Sequence, residues 1–360
     1  MLKWIWRALP ALALCAMGGQ VARTWAQSGT GTAAGATKAA VLGTGSFTSF
    51  VENMDRSLAF YHEAFGMEVP PLPESGARPY NRENPQLFKF FDIPGAKERH
   101  QSARVAGTRV TVEIMEIQQV PHQTIPLRIQ DPGNATIVFM VRDVEAALGR
   151  VSQAKATVAT PGGKPVMLAD GTRAILIRDI DGRFIELRQV PEPFVPASGA
   201  GITDMRLSIT VNNLEETLKA YRDVLGFKVE GETGFLADAG MRKLTGLSKA
   251  EVRRSRVQAP GSQLWIEFVE FKGVERTPLR MKIQDRGAAR LQLRVNDTDA
   301  IVNAVKAAGL KVASDGGVAQ PIPPNFKGAL VADPNNFFLT PFAPCDGCAP
   351  GIGVPVPQKQ

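Results

Sequence analysis

The sequence predicts an α+β fold in which one domain occurs twice, on three observations. A long block recurs: Asn53-Met54-Asp55-Arg56-Ser57-Leu58-Ala59-Phe60-Tyr61 returns as Asn213-Leu214-Glu215-Glu216-Thr217-Leu218-Lys219-Ala220-Tyr221. Short runs with apolar residues at alternate positions flank it, the period of strands rather than helices. Between them lie helical segments, each opened by an Asn or Asp that can cap the first turn. In 360 residues that are 44% hydrophobic and 21% charged there is material for two ordinary cores.

Taken in order, Ser46 to Glu52 and Arg206 to Asn212 read as first strands. Each leads into a helix capped by Asn53 or Asn213, with Leu58 and Tyr61, or Leu218 and Tyr221, on one face. Phe65-Gly66 and Leu225-Gly226 put glycine where a helix stops. Arg109 to Ile117 and Gln263 to Phe271 alternate as strands. The order restarts at Thr136 to Val141 before Asp143, and at Arg290 to Val295 before Asp297. Strands over Thr172 to Arg178 and Phe184 to Gln189 close the first copy around the turn Asp179-Ile180-Asp181-Gly182. The copies are offset by 160 residues at Asn53 and Asn213 and by 154 at Asp179 and Asp333, so one small deletion relates them. The expectation is four βαβββ units, two per copy, with copies at 42–192 and 203–343 and a proline-bearing linker at 193–202.

The ends carry addresses rather than fold. Lys3 and Arg7 precede an apolar run from Ala8 to Gly19, and Thr24-Trp25-Ala26 supplies a cut before Gln27. Residues 1–26 therefore read as a secretory signal, too short in its apolar run to span a bilayer, and the expected location is periplasmic or secreted. Residues 27–41 form a flexible lead-in, rich in Gly, Ser, Thr and Ala. The formal charge of +7 includes Lys3, Arg7 and Arg23; without them it is +4 with no long basic run, which argues against nucleic acid. No further stretch is apolar enough for a membrane span. Residues 344–360 form a tail containing Cys345-Asp346-Gly347-Cys348. Such a pair can be a redox motif, half a metal site or a small disulfide-closed turn. With no following helix and no second pair, the disulfide is favoured.

The motifs Asp55-Arg56-Ser57-Leu58-Ala59-Phe60-Tyr61, Phe65-Gly66-Met67 and Asp181-Gly182-Arg183-Phe184-Ile185-Glu186-Leu187 resemble those of the vicinal oxygen chelate superfamily of glyoxalases, bleomycin-resistance proteins and extradiol dioxygenases. Tyr221 to Phe227 and Asp333 to Leu339 carry the resemblance in the second copy. It implies two tandem glyoxalase-like domains with curved, mostly antiparallel sheets. It also implies a metal in a cup between two units, held by His or Gln on first strands and Glu on last strands, acting as a Lewis acid. Carried over one position at a time, the first copy offers Ser46 and Thr136 on first strands and Glu113 and Glu186 on last strands. The second offers Arg206 and Arg290, with Glu267 and Thr340.

No histidine falls at a ligand position. Of the three in the chain, His62 lies on a helix and His100 and His122 are assigned to loops. No cofactor is therefore expected, although a hard cation on Glu113 and Glu186 stays open, as does a raised carboxyl pKa making one of them a general base. These two are the catalytic candidates; Ser46, Thr136, Arg206, Glu267 and Arg290 are the ligand-binding candidates. The two arginines read either as a salt-bridge cluster with Glu267 or as an anion site. Glu116 and Glu270, and Asp131 and Asp285, recur in both copies, which suits a clasp in the shared fold. Tyr80 and Arg82 sit in an insertion of the first copy, either a surface excursion or a pocket lid, and Trp265 is expected in the core.

Three function classes remain: a small-molecule binding protein without a histidine-based metal site, a metal-dependent glyoxalase- or dioxygenase-like enzyme, and an interaction module without ligand. The missing histidines favour the first. Oligomeric state is not legible.

Overall fold

The computed structural model describes residues 38–80, 85–190, 201–231, 234–322 and 325–345. The expected export signal, residues 27–37 of the expected lead-in, Arg82, residues 193–200 of the expected linker and the tail from 346 with Cys348 lie outside the described residues. Cys345 is disulfide-bonded.

Four units follow one another. The first is β1 (Val41–Phe50), α1 (Met54–Phe65), α2 (Pro85–Phe91), β2 (Lys97–Arg104) and β3 (Thr111–Gln118). The second is β4 (Ala135–Val141), α3 (Val144–Gln153), β5 (Thr157–Val158), β6 (Val166–Met167), β7 (Arg173–Arg178) and β8 (Phe184–Gln189). The third is β9 (Ile202–Thr210), α4 (Leu214–Lys219), β10 (Lys228–Glu230), α5 (Ala239–Thr245), β11 (Glu251–Gln258) and β12 (Trp265–Lys272). The fourth is β13 (Ala289–Val295), α6 (Thr298–Ala307), β14 (Lys311–Val312), β15 (Gln320–Ile322), β16 (Phe326–Gly328), β17 (Val331–Ala332) and β18 (Phe338–Pro344).

The helices start where their caps predict. The side chains of Asn53 and Asn213 accept from the backbone N–H of Arg56 and Glu216, three residues on. Gly66 closes α1 in the left-handed conformation at φ 62°, which glycine adopts without a Cβ penalty. Glu116 and Glu270 perform a second shared task. Each accepts from the first helical N–H, of Met54 at 2.9 Å and of Leu214 at 2.7 Å, and each is held by an arginine of the neighbouring strand, Arg99 or Arg253. Carboxylates there complement the positive helix end. Tyr80 joins this cluster through Glu116, so the inserted segment is tied to the helix start.

Two nine-stranded sheets result, and their composition corrects the expected pairing of units within each copy. One sheet runs β14-β17-β18-β13-β1-β3-β2 and the other β10-β11-β12-β9-β4-β8-β7-β5. The first unit is therefore paired with the fourth, through antiparallel β1 and β13, and the second with the third, through β4 and β9. All four first strands carry a similar apolar alternation, so the pattern alone does not select a partner. The connections select it. The chain between β3 and β4 crosses that between β12 and β13, with Arg286 N–H donating to Gln123 O and Leu279 N–H to Pro132 O, both at 2.8 Å. The repeated aspartates lock the crossing reciprocally: Asp131 accepts from Thr277 N–H and Asp285 from Gln123 N–H, each at 2.8 Å. Gly133 at this crossing has φ +94°, and a Cβ there would meet Asn335 O at 2.5 Å.

A single core of Phe47, Tyr61, Phe65, Phe139, Tyr221 and Phe268 with many aliphatic residues fills the helical side of both sheets. Arg183, 1% exposed, lies among these groups and reaches both sheets. It donates to Ser49 Oγ, Ala135 O, Gly287 O and Ala288 O. A second cluster, with Phe50, Phe91, Met115, Met241 and Phe338, covers the other side, where α2 and α5 contribute apolar side chains. The two short helices are anchored alike. Ser314 Oγ donates to Phe90 O and accepts from Leu330 N–H; Thr160 Oγ1 donates to Leu244 O and accepts from Leu176 N–H.

Candidate functional site

The cross-paired sheets divide the predicted site residues into two cups, each taking two of its positions from either copy. Ser46, Glu113, Arg290 and Thr340 belong to the first, on β1, β3, β13 and β18; Thr136, Glu186, Arg206 and Glu267 belong to the second, on β4, β8, β9 and β12. Glu113 and Glu186 are thus on different sheets, and the expected repulsion between them, or a cation shared by them, has no geometric basis. Glu186 instead shares its cup with Glu267.

In the first cup Glu113 is buried and engaged through one of its oxygens. Thr48 Oγ1 donates to its Oε2 at 2.5 Å, Arg290 Nη2 at 2.9 Å and Gln292 Nε2 at 3.5 Å. Burial raises the Glu113 pKa, but attraction from Arg290 and His100 and the hydrogen bonds of Thr48 and Arg290 outweigh it and hold the carboxyl below its ordinary value. Ser46 makes no such bond. Pairing of β1 with β13 is irregular between Thr44 and Phe47, and the extra residue displaces Ser46 from the row that Thr48 occupies. Thr48 is the hydroxyl that bonds Glu113, and counting along the strand missed it.

His100 also lies elsewhere than expected. It is on β2, not in a loop, beside Glu98 Oε2 at 2.9 Å. Burial lowers its pKa, but the Glu98 hydrogen bond and the charges of Glu113 and Glu98 prevail and push it up to about 9. The strand Lys97 to Arg104 is almost wholly polar, which hid it from the alternation test. Glu98 is fully buried, and among the described residues its second oxygen has no hydrogen-bond partner; Thr340 Oγ1 is likewise buried and unpartnered among them. Phe91 and Phe90 of α2 lie against the Arg290 guanidinium, 5.1 and 5.9 Å from ring centre to carbon.

A cleft of about 600 Å³ opens beside this cup. Its walls include Ser46, Thr111, Gln292 and Arg294 of the first sheet, with Asp204 and Ser262 brought from the third unit. Gln292 joins cleft and cup, lining the one and touching Glu113 in the other. Thr44 and Ser262 share a hydroxyl hydrogen bond of 2.5 Å across the two copies at its edge. The volume lies in the range of small-molecule sites, and the lining is part polar and part apolar.

The second cup is nearly filled by its own side chains. Arg188 Nε donates to Glu186 Oε1 at 2.5 Å and its Nη2 stands 4.0 Å from Glu267 Oε2. Thr136 is buried and accepts from Asn134 Nδ2. Trp265 is only partly buried and lines this cup rather than the core. Its neighbour on the rim is Arg206.

Neither donor set fits a divalent cation. In the first cup a guanidinium already stands 2.9 Å from the only carboxylate among the four positions; in the second, Arg188 and Arg206 accompany both carboxylates. Among the described residues no group of three or more His, Cys, Asp or Glu side chains converges in a metal-holding arrangement. No helix among them is long and apolar enough to cross a membrane.

Comparison with known proteins agrees with the fold. A family model of the Glyoxalase/Bleomycin resistance protein/Dioxygenase superfamily matches residues 43–187 and 205–319. Glyoxalase I from Zea mays is 18% identical and superposes with a TM-score of 0.53, covering 85% of this chain and 92% of its own. A putative dioxygenase from Bacillus subtilis is 12% identical with a TM-score of 0.52, covering 86% and 87%. At these identities the likeness concerns fold. No curated protein sequence matches.

Proposed function

Because the chain belongs to the Glyoxalase/Bleomycin resistance protein/Dioxygenase superfamily, we propose that it is an exported protein that binds a small polar molecule without a histidine-based metal centre. The observation that carries this reading is the 600 Å³ cleft, whose Gln292 reaches the buried Glu113–Arg290 pair. A molecule entering there meets the hydroxyls of Ser46, Thr111 and Ser262 and the charges of Arg294 and Asp204. Glu113, kept ionised by its neighbours, acts as a fixed acceptor that orients Gln292 and Thr48 rather than as a proton donor. Arg290 takes the place a cation would need.

Two measurements test the proposal on the full-length chain. Elemental mass spectrometry of protein purified without a His tag or chelator should find no stoichiometric transition metal. A thermal-shift survey of small polar metabolites should yield hits that Gln292→Ala and Ser46→Trp weaken. About one tightly held Fe, Mn, Zn or Ni per chain would replace this reading with the metal-dependent enzyme. A survey without any hit would leave the interaction module.

A further inference from the structure

The second cup contains an arrangement with no counterpart in the first. Arg188, Arg206 and Arg256, together with Val138, Trp265 and Glu267, enclose a gap of about 10 Å³. That is room for one water-sized body. At the positions matching these arginines the first cup has Phe342, Ser46 and Ser102, as the 154- and 160-residue offsets and the pairing of Ser102 with Glu113 and of Arg256 with Glu267 show. The arginines therefore do not follow from the shared fold.

Their hydrogen bonding is incomplete. Arg188 is bound to Glu186, but its distance of 4.0 Å to Glu267 is too long for a hydrogen bond. Arg206 Nε is buried without a hydrogen-bond partner; the nearest carboxylate, half-exposed Asp204 at the rim, is 4.0 Å away. Among the described residues neither the Arg206 nor the Arg256 side chain donates a hydrogen bond and the Glu267 side chain accepts none; Arg256 is exposed and lies over the Trp265 ring at 5.5 Å. Burial first, and repulsion from Arg188 and Arg256, hold the Arg206 pKa below its ordinary value despite the attraction of Asp204 and Glu267. Guanidinium groups are weakly hydrated and pair with anionic oxygen or halide through several N–H groups at once.

We propose that the gap between Arg188, Arg206 and Arg256 is an anion site that admits a single anionic atom, either a halide or one oxygen of a small carboxylate or phosphate. Such an atom takes up the unused N–H groups, while Glu267, which lines the same gap, limits how much negative charge the site accepts. Trp265 sits beside it as an internal reporter.

The chain has four tryptophans, Trp4, Trp6, Trp25 and Trp265. In the full-length chain carrying Trp4→Phe, Trp6→Phe and Trp25→Phe, indole emission then comes from the second cup alone. This protein is titrated with sodium chloride, bromide, acetate and phosphate, following emission and thermal midpoint, beside the same protein carrying Arg206→Met. At least one anion should give a saturable change, with half-saturation raised about tenfold or more in the variant, equivalent to about 1.4 kcal/mol. Saturation by halides only identifies a monatomic site; saturation by acetate or phosphate identifies an oxyanion head. Linear responses to all four anions, equal with and without Arg206→Met, overturn the proposal. Should Arg206→Met fail to fold, Arg206→Lys, which keeps the charge but not the planar fork, replaces it with the same two outcomes.

Discussion

Glu98, His100, Glu113 and Arg290 set alternating charges along one face of the first sheet, and His100 is the member that titrates on the alkaline side of neutrality. Its folded pKa of about 9 exceeds the ordinary histidine value, so the imidazolium contributes stability fully below about pH 6.5 and loses it as pH rises through 9. The side chain is 36% exposed, and solvent screening reduces the effect to about 1 kcal/mol. Denaturant midpoints measured from pH 6 to 10 should fall across this window in the parent and stay level in His100→Gln; an unchanged slope in the variant would show that another group titrates. At this scale the sequence was only partly readable. Glu113, Arg290 and Arg206 were recognisable because they replace or retain residues at fixed motif distances. Thr48, Glu98 and Gln292 were not, because a bulge changes which side chain of β1 faces Glu113 and because a polar edge strand shows no alternation.

Among the elements, the helices were legible from their caps, and Asn53, Asn213, Gly66 and Gly226 stand where the chain turns. The strand starts were less so: β1 begins at Val41, five residues ahead of the expected start, since Gly43 and Gly45 interrupt the apolar pattern where Arg294 and Gln292 press against them. The short helices α2 and α5 escaped notice because seven residues are too few for a clear helical period. Each hangs on one hydroxyl that bridges a helix carbonyl to a strand amide. Removing it leaves two buried backbone groups unpaired, so Ser314→Ala and Thr160→Val should each cost about 1–3 kcal/mol. Hydrogen exchange should show the loosening local to Phe90 in the first variant and Leu244 in the second. Protection lost evenly over the whole chain would mean the bridge is not the anchor.

For the whole molecule, the deciding side chain is Arg183. Buried in the core, it donates to groups of the first and second units and of the connection that enters the fourth, and the matching position of the second copy holds Phe337. Arg183→Met would leave three carbonyls and the Ser49 hydroxyl without that donor, at a cost of about 3–5 kcal/mol, read as a lowered denaturant midpoint. A loss below about 1 kcal/mol would mean that water or the remaining backbone replaces it. The repeat announced four units, but not their partners. Periodicity reports which face of a strand is apolar, whereas the partner is set by the crossing connections locked at Asp131 and Asp285.

That choice of partners nests one sheet inside the other along the chain, like inner and outer brackets. The inner sheet joins neighbouring units, and its strands are available soon after one another. The outer sheet must bring Thr48 to Arg290 across 242 residues. A chain that emerges N-terminus first therefore carries β1 and β3 with an open edge until the fourth unit appears. Long-range pairing of this kind slows folding and prolongs exposure of that edge. Cold, crowded or fast synthesis should thus harm the first cup before the second, although the first is begun earlier.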